Sequence, residues 1–382
     1  MGTNLPGRRR PAVAREPVQR SDGGEARLWH LGTALAVSFT VAVVGLAGLA
    51  WLAWVLVGLA GYRRHGAPAL KDTVSVLQLV FATVAGAGAL VALIVAYRRQ
   101  KVAEADSVHD RTRVFNERFT AIATQLGDAQ PAVRLAGVHA LAGLADDWKQ
   151  NRQTCVDVLC AYLRLPYDPD PGDDAGPATR TAYRANREVR HTIIRLIGTH
   201  LRHGAAVSWQ GLTFDFNGVI FDGGDFRGAE FSRGVAVFDG AEFCSGIVRF
   251  NRAKFSGAEV YFGGAKFSGG GIRFARSDFS GGTVSFRDIE LSSGTIRFDG
   301  AEFSGGAVNF YRAKFSGGRV DFDAAQFSGG DVNFGGAVFA GGEVNFAGAM
   351  DWSHPPTFSW EGRPPVGVAL PVQPSEERKD KL

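Results

Sequence analysis

Residues 303–334 read FSGGAVNFYRAKFSGGRVDFDAAQFSGGDVNF, with phenylalanine at 303, 310, 315, 322, 327 and 334, so the steps alternate between seven and five. The same beat runs back through 231, 238, 243, 250, 255, 262, 267, 274, 279 and 286, passes Leu291 to 298, and continues to 339 and 346. Ten units of twelve residues fill 229–348, with the shared form A-x-F-S-G-G-x-V-x-F-x-x. A helix cannot use this pattern. At about 100° per residue, steps of five and seven scatter the rings around the cylinder, and paired glycines oppose helix formation. A long strand fails as well, because turn residues interrupt every few positions. A solenoid of very short strands fits: each V-x-F or A-x-F triplet points its first and third residues inward, and serine and glycine turn the corner.

Of the 28 phenylalanines in the 382-residue chain, 23 lie between 205 and 350, which marks an internal array. The segments AEFCS, AKFSG, AEFSG and AQFSG carry its small-x-aromatic-Ser/Thr-x unit. On these residues the chain resembles the pentapeptide-repeat family in a phenylalanine-rich form. The resemblance implies a right-handed quadrilateral β-helix with four pentapeptides per coil. This chain departs from the plain pattern by two residues inserted at every second corner, whereas Phe216, Phe221, Phe226 and Phe231 are five apart without them.

The outward charges set the coil length. The residue after each small position reads Glu230, Glu242, Lys254, Lys266, Asp278, Glu290, Glu302, Lys314. A 12-residue coil stacks like charges repeatedly, whereas a 24-residue coil stacks mostly opposite ones, which neighbouring rungs favour. The expectation is therefore about six coils of 24 residues over 205–350, an all-β solenoid. Trp352, Phe358 and Trp360 are expected to cap it over 351–362, with a disordered tail over 363–382.

Two uncharged runs precede the array, within 31–61 and 73–97. About 20 apolar residues cross a bilayer core, so both read as transmembrane α-helices joined by a loop over 62–72. A signal peptide has a shorter apolar run and no second span after it. Residues 1–30 read as a disordered tail; its GRRRP segment lies too far from the first span for a twin-arginine signal. Two spans put both ends on one side. The flanking Arg20, Arg27, Arg98, Arg99 and Lys101 place both termini and the repeat domain in the cytoplasm, at the inner (plasma) membrane of a bacterial cell.

Residues 98–204 read as a small helical bundle beside the membrane. One helix carries Val108, Phe115, Phe119, Ile122 and Leu126 as a stripe, a second starts near Pro131, a third holds TCVDVLCAYLRLPY, and a fourth spans Arg180–Arg202. The fourth is expected to cover the lower end of the solenoid. Asp168, Asp170 and Asp173 suggest a calcium loop only superficially, because Pro169 and Pro171 interrupt it and Thr179 stands where a bidentate glutamate belongs. His200 and His203 have no third ligand at metal spacing. Cys155, Cys160 and Cys244 form no CxxC pair and read as reduced thiols. No nucleophile elbow, P-loop, HExxH or dinucleotide fingerprint occurs, so neither enzymatic chemistry nor a cofactor is expected.

A 24-residue register aligns Arg249, Arg273 and Arg297 in one column, with Arg252 and Arg276 beside it. This ridge is the candidate partner-binding site, to be neutralised in part by Asp299, Asp321 and Asp323. The function expected is a membrane-tethered scaffold for a protein partner, with a homo-oligomer as a further possibility. The alternative is mimicry of DNA to inhibit a topoisomerase, a role the resemblance brings with it. Mimicry needs a strongly acidic surface, yet residues 205–350 hold 13 basic and 16 acidic side chains, and nucleic acid is not an expected partner.

Overall fold

A computed structural model of the chain describes residues 70–172 and 174–372, together with scattered positions between 40 and 58. The chain divides into two compact units, 1–110 and 111–382. In the first, the described positions between 40 and 58 are helical, and α1 (Leu70–Leu126) begins. Most of the first expected span and residues 62–69 of the expected loop lie outside the described residues; Leu70, Lys71 and Asp72 are already helix. Among the described residues one helix is long and apolar enough to cross a membrane, over Phe81–Leu126.

In the second unit, the last turns of α1 bury Phe115, Ile122 and Leu126. They are joined by α2 (Pro131–Asp147), α3 (Arg152–Leu163) and α4 (Pro177–His200). Pro131 and Pro177 stand in the first turn of their helices, where a missing N–H costs nothing. Val138, Leu141, Val156, Leu159, Val189, Ile193 and Ile197 close the core between them.

The remaining chain winds into a β-solenoid of about seven turns. Twenty-one short strands, β1 (Thr213–Asp215) to β21 (Val368–Ala369), form two sheets of 10 and 11 strands. Every pairing between named strands is parallel. From the second turn upward the register is 24 at the ring positions, Phe255 opposing Phe279, which opposes Phe303, which opposes Phe327, and it slips by one residue at corners such as Ser256–Gly281. The first turn is shorter, with Thr213 opposite Val235 and Ile220 opposite Glu242, an offset of 22. The cause is local. The run from Phe216 to Phe231 keeps steps of five and lacks one inserted pair.

Inside, the rings form four columns. Along one, Phe262, Phe286, Phe310 and Phe334 stack at 4.8, 4.8 and 4.5 Å with near-parallel planes. Between columns the rings meet edge to face, as Phe286 and Phe298 do at 6.1 Å and 90°, the arrangement the ring quadrupole favours. Leu291 takes one rung of the column running from Phe243 to Phe315. At the small positions Ala253, Ala265, Ala301 and Ala313 are fully buried. Where Ser277 replaces alanine, its hydroxyl donates to the Phe250 carbonyl at 2.7 Å, which satisfies a group otherwise costly to bury.

The inserted residues are backbone for the corners. A Cβ on Gly281 would lie 2.5 Å from the Ser256 carbonyl of the rung below, so no larger residue fits there. The corner after each second strand is left-handed; Arg252, Arg276 and Ala324 occupy it at φ 57°, 56° and 55°.

The stack continues above residue 350. Phe358 lies on Phe334 at 5.6 Å, while Trp352 and Trp360 meet Phe327 and Phe339 edge-on at 5.2 and 5.4 Å. Val368–Ala369 then pairs with Val344–Asn345. The expected cap is thus built into one further rung, which raises six coils to about seven, and residues 363–372 belong to the ordered stack instead of to a disordered tail. At the lower end α4 lies against the first turn. A Cβ on Gly198 would lie 2.5 Å from the Asp225 carbonyl, and one on Gly224 would lie 3.1 Å from Ile194.

Candidate functional site

Strands β7 (Ile247–Arg249), β9 (Lys266–Arg273) and β11 (Glu290–Arg297) each end on the residue after an inward-pointing Val248, Ile272 or Ile296. Alternation therefore sends the terminal arginine outward. Pairing brings Arg249 opposite Arg273, and Arg273 opposite Arg297, so the expected column exists. Acids close both ends of it, Asp225 opposite Arg249 and Asp321 opposite Arg297.

Neutralisation is uneven. Arg297 donates from Nη2 and Nε to Asp299 at 2.9 and 3.1 Å, and Arg273 reaches the same carboxylate at 3.9 Å. Asp321 is instead buried beside Arg319 at 3.3 Å, and Asp323 makes no ion pair among the described residues. Arg249 also makes none. Arg252 and Arg276 project from left-handed corners one coil apart, both exposed and without an ion pair among the described residues. Outward charges of opposite sign also meet in each of the two sheets, Glu290 and Lys314 at 2.9 Å in one and Glu230 and Lys254 at 3.8 Å in the other. Exposed pairs of this kind add little stability.

The residues weighed for metal chemistry do not converge. His200 is mostly buried, stacked on Trp209 at 4.0 Å, with Nε2 3.1 Å from Asp146. His203 is exposed and lies 3.5 Å from Glu230. Asp170 accepts the Gly172 N–H at 3.1 Å, a local turn; Asp173 lies outside the described residues. Among the described residues no three metal-ligating side chains assemble.

A buried knot where α4 meets the first turn escaped the sequence reading. Asp222, 3% exposed, accepts from Tyr167 at 2.7 Å, Tyr183 at 3.0 Å and Arg187 Nε at 2.9 Å, all on Oδ2. Its Oδ1 lies 2.8 Å from His191 Nε2. Burial opposes ionisation of this carboxyl, but hydrogen bonds from His191, Tyr167 and Tyr183 outweigh it and hold the group well below the usual carboxylate range. Burial first, and the carboxylate second, push the Tyr167 phenol up. Arg190 passes close by and ties Leu163 of α3 to Ile220 of β2 (Ile220–Phe221) through their carbonyls at 2.7 and 2.8 Å. One signal was present in the sequence. Asp222 follows Phe221 at the place where later turns carry Cys244, Ser268, Ser292 and Ser316.

Residues 216–261 match the family model described as pentapeptide repeats, nine copies. No curated protein and no solved structure matches the chain.

Proposed function

We propose that this pentapeptide-repeat protein is a membrane-tethered, non-enzymatic scaffold whose solenoid offers a regularly spaced surface to a protein partner. The observation that carries the reading is the 24-residue register, which repeats Arg249, Arg273 and Arg297 on one face with Arg252 and Arg276 around the corner. Cationic groups repeating at the rung spacing of about 4.8 Å complement an extended acidic segment. The stacked core supports rigidity, so partner groups meet a preorganised surface and little ordering is needed on binding.

Tethering is supported by the uncharged runs within 31–61 and 73–97, the second of which lies in a helix able to cross a bilayer. In this reading both spans anchor the chain in the plasma membrane, and both termini and the repeats face the cytoplasm. Assembly with further copies is compatible with it. Mimicry of DNA is the weaker reading, since lysines alternate with the acids of the Glu242–Lys314 column and Lys254 interrupts the Glu230–Glu302 column.

Replacing Arg249, Arg273 and Arg297 together by Glu is the test. Partner capture by in-cell cross-linking should fall at least tenfold while the circular dichroism of the folded chain is kept. Undiminished capture would remove the ridge from the proposal. A topology reporter fused after Leu382 should be active only in its cytoplasmic form.

A further inference from the structure

Beside the Asp222 knot lies a cleft of about 230 Å³, open on one side and lined by Arg187, His191 and Arg195 of α4 and by Asp222, Asp225 and Arg249 of the first two turns. Its two acids are already engaged. Asp222 is saturated by four side chains, and Asp225 is held by Arg227, which donates at 2.6 and 2.9 Å. Arg227 therefore takes the carboxylate that register places opposite Arg249, and Arg249 lines the cleft without an ion pair among the described residues. Arg195 donates from Nη2 to the Thr192 hydroxyl at 2.8 Å, and its one carboxylate contact among the described residues is with exposed Glu188 at 3.4 Å. Three glycines keep the opening clear. A Cβ on Gly223 would lie 3.3 Å from His191 and 3.8 Å from Arg187, and Gly224 and Gly246 also line the wall.

We propose that this cleft is an oxyanion site that takes a compact phosphate group between Arg195 and Arg249, with Arg187 and His191 as its floor. Guanidinium forks match phosphate oxygens in geometry and stay charged at any physiological pH. The volume lies below the ~300–1,000 Å³ usual for drug-sized ligands, which suits a phosphate and not a nucleotide. The site lies where α4 docks on the solenoid, so occupancy stabilises that junction by mass action. It shares Arg249 with the partner ridge, whereas Arg187, His191 and Arg195 belong to the cleft alone.

Inorganic phosphate is titrated into the full chain in detergent at constant ionic strength, following the melting temperature and the phosphorus-31 linewidth. A saturable response is expected, its midpoint raised at least tenfold in Arg195→Gln/Arg249→Gln and unchanged in Arg312→Gln, which lies higher in the stack. The linewidth, read well below melting, keeps the comparison valid if the double variant is less stable. A parallel arm uses nanodiscs of phosphatidylcholine with or without phosphatidic acid and no free phosphate. A shift confined to phosphatidic acid and lost in the double variant assigns the same chemistry to a lipid headgroup. Wild type and double variant responding alike, or no response in either arm, overturns the proposal.

Discussion

The Nε2 of His191 on α4 lies 2.8 Å from the Oδ1 of Asp222 on the first solenoid turn, joining residues 31 positions apart. With Arg187, Tyr167 and Tyr183 on the other oxygen, this contact fastens the helical region to the repeats. Losing the carboxylate leaves several donors facing a buried gap, so Asp222→Ala should lower stability by on the order of 3 kcal/mol. Chemical denaturation of the full chain measures it.

The same residue gives the acid limb its sign. The carboxyl is held below its unfolded value, so its contribution is complete above about pH 3.9 and fades as pH falls towards the folded value. Asp222→Asn should therefore flatten the loss of stability between about pH 4 and 2 relative to wild type. Equal slopes in the two proteins would show that other groups govern acid unfolding.

In the ring columns, Phe298 is fully buried and stacks on Phe274 and Phe322 at 5.0 and 4.8 Å. Phe298→Ala opens a void that two rigid neighbours cannot fill, and should cost about 3–5 kcal/mol. A cost below about 1 kcal/mol would mean that the core is fluid.

Two glycines with similar backbone angles should respond differently. At Gly294, φ 88°, an added Cβ would overlap the Gly270 carbonyl oxygen of the rung below, so Gly294→Ala forces the corner apart. At Gly300, φ 62°, the nearest atom is 3.6 Å away on the flexible Arg276 side chain, and Ala324 occupies the equivalent corner one turn higher. Gly300→Ala should cost about 1 kcal/mol, and Gly294→Ala several times that. Melting temperatures of the two variants decide it.

Burial pushes the Cys155 thiol up to about 11 and the Cys160 thiol up to about 12. Neither should react with a maleimide at pH 7 while the chain is folded, because the thiolate is the nucleophile. Denaturation should expose both, as a mass spectrum of the labelled chain would record.

How far the sequence could be read depended on the range of the contacts. Coil length was legible because charge and aromatic patterns repeat within one turn: Glu242, Lys266 and Glu290 do lie opposite one another. The first turn of 22 residues shows in the plain fives from Phe216 to Phe231, whereas the charge pattern that sets 24 begins only at Glu230. The last rung was hidden because Pro364, Pro365 and the charges beyond obscure the two-residue strand at Val368. At the candidate site, the arginine column follows from register alone. The unpaired state of Arg249 does not, since it requires that Arg227 capture Asp225. The Asp222 knot depends on tyrosines 39 and 55 residues upstream, and no local pattern encodes that meeting.

Register can be measured by cross-linking. Glu302 and Gln326 are Cα partners on adjacent rungs, 24 positions apart, within bridging range for a disulfide. With Cys244→Ser as background, mild oxidation of Glu302→Cys/Gln326→Cys should give an intramolecular bridge in nearly every molecule, and Glu302→Cys/Lys314→Cys, 12 apart, should give almost none. A bridge in the second pair and not in the first would mean a coil of half the length, and with it neither the ring columns nor the arginine face could stand.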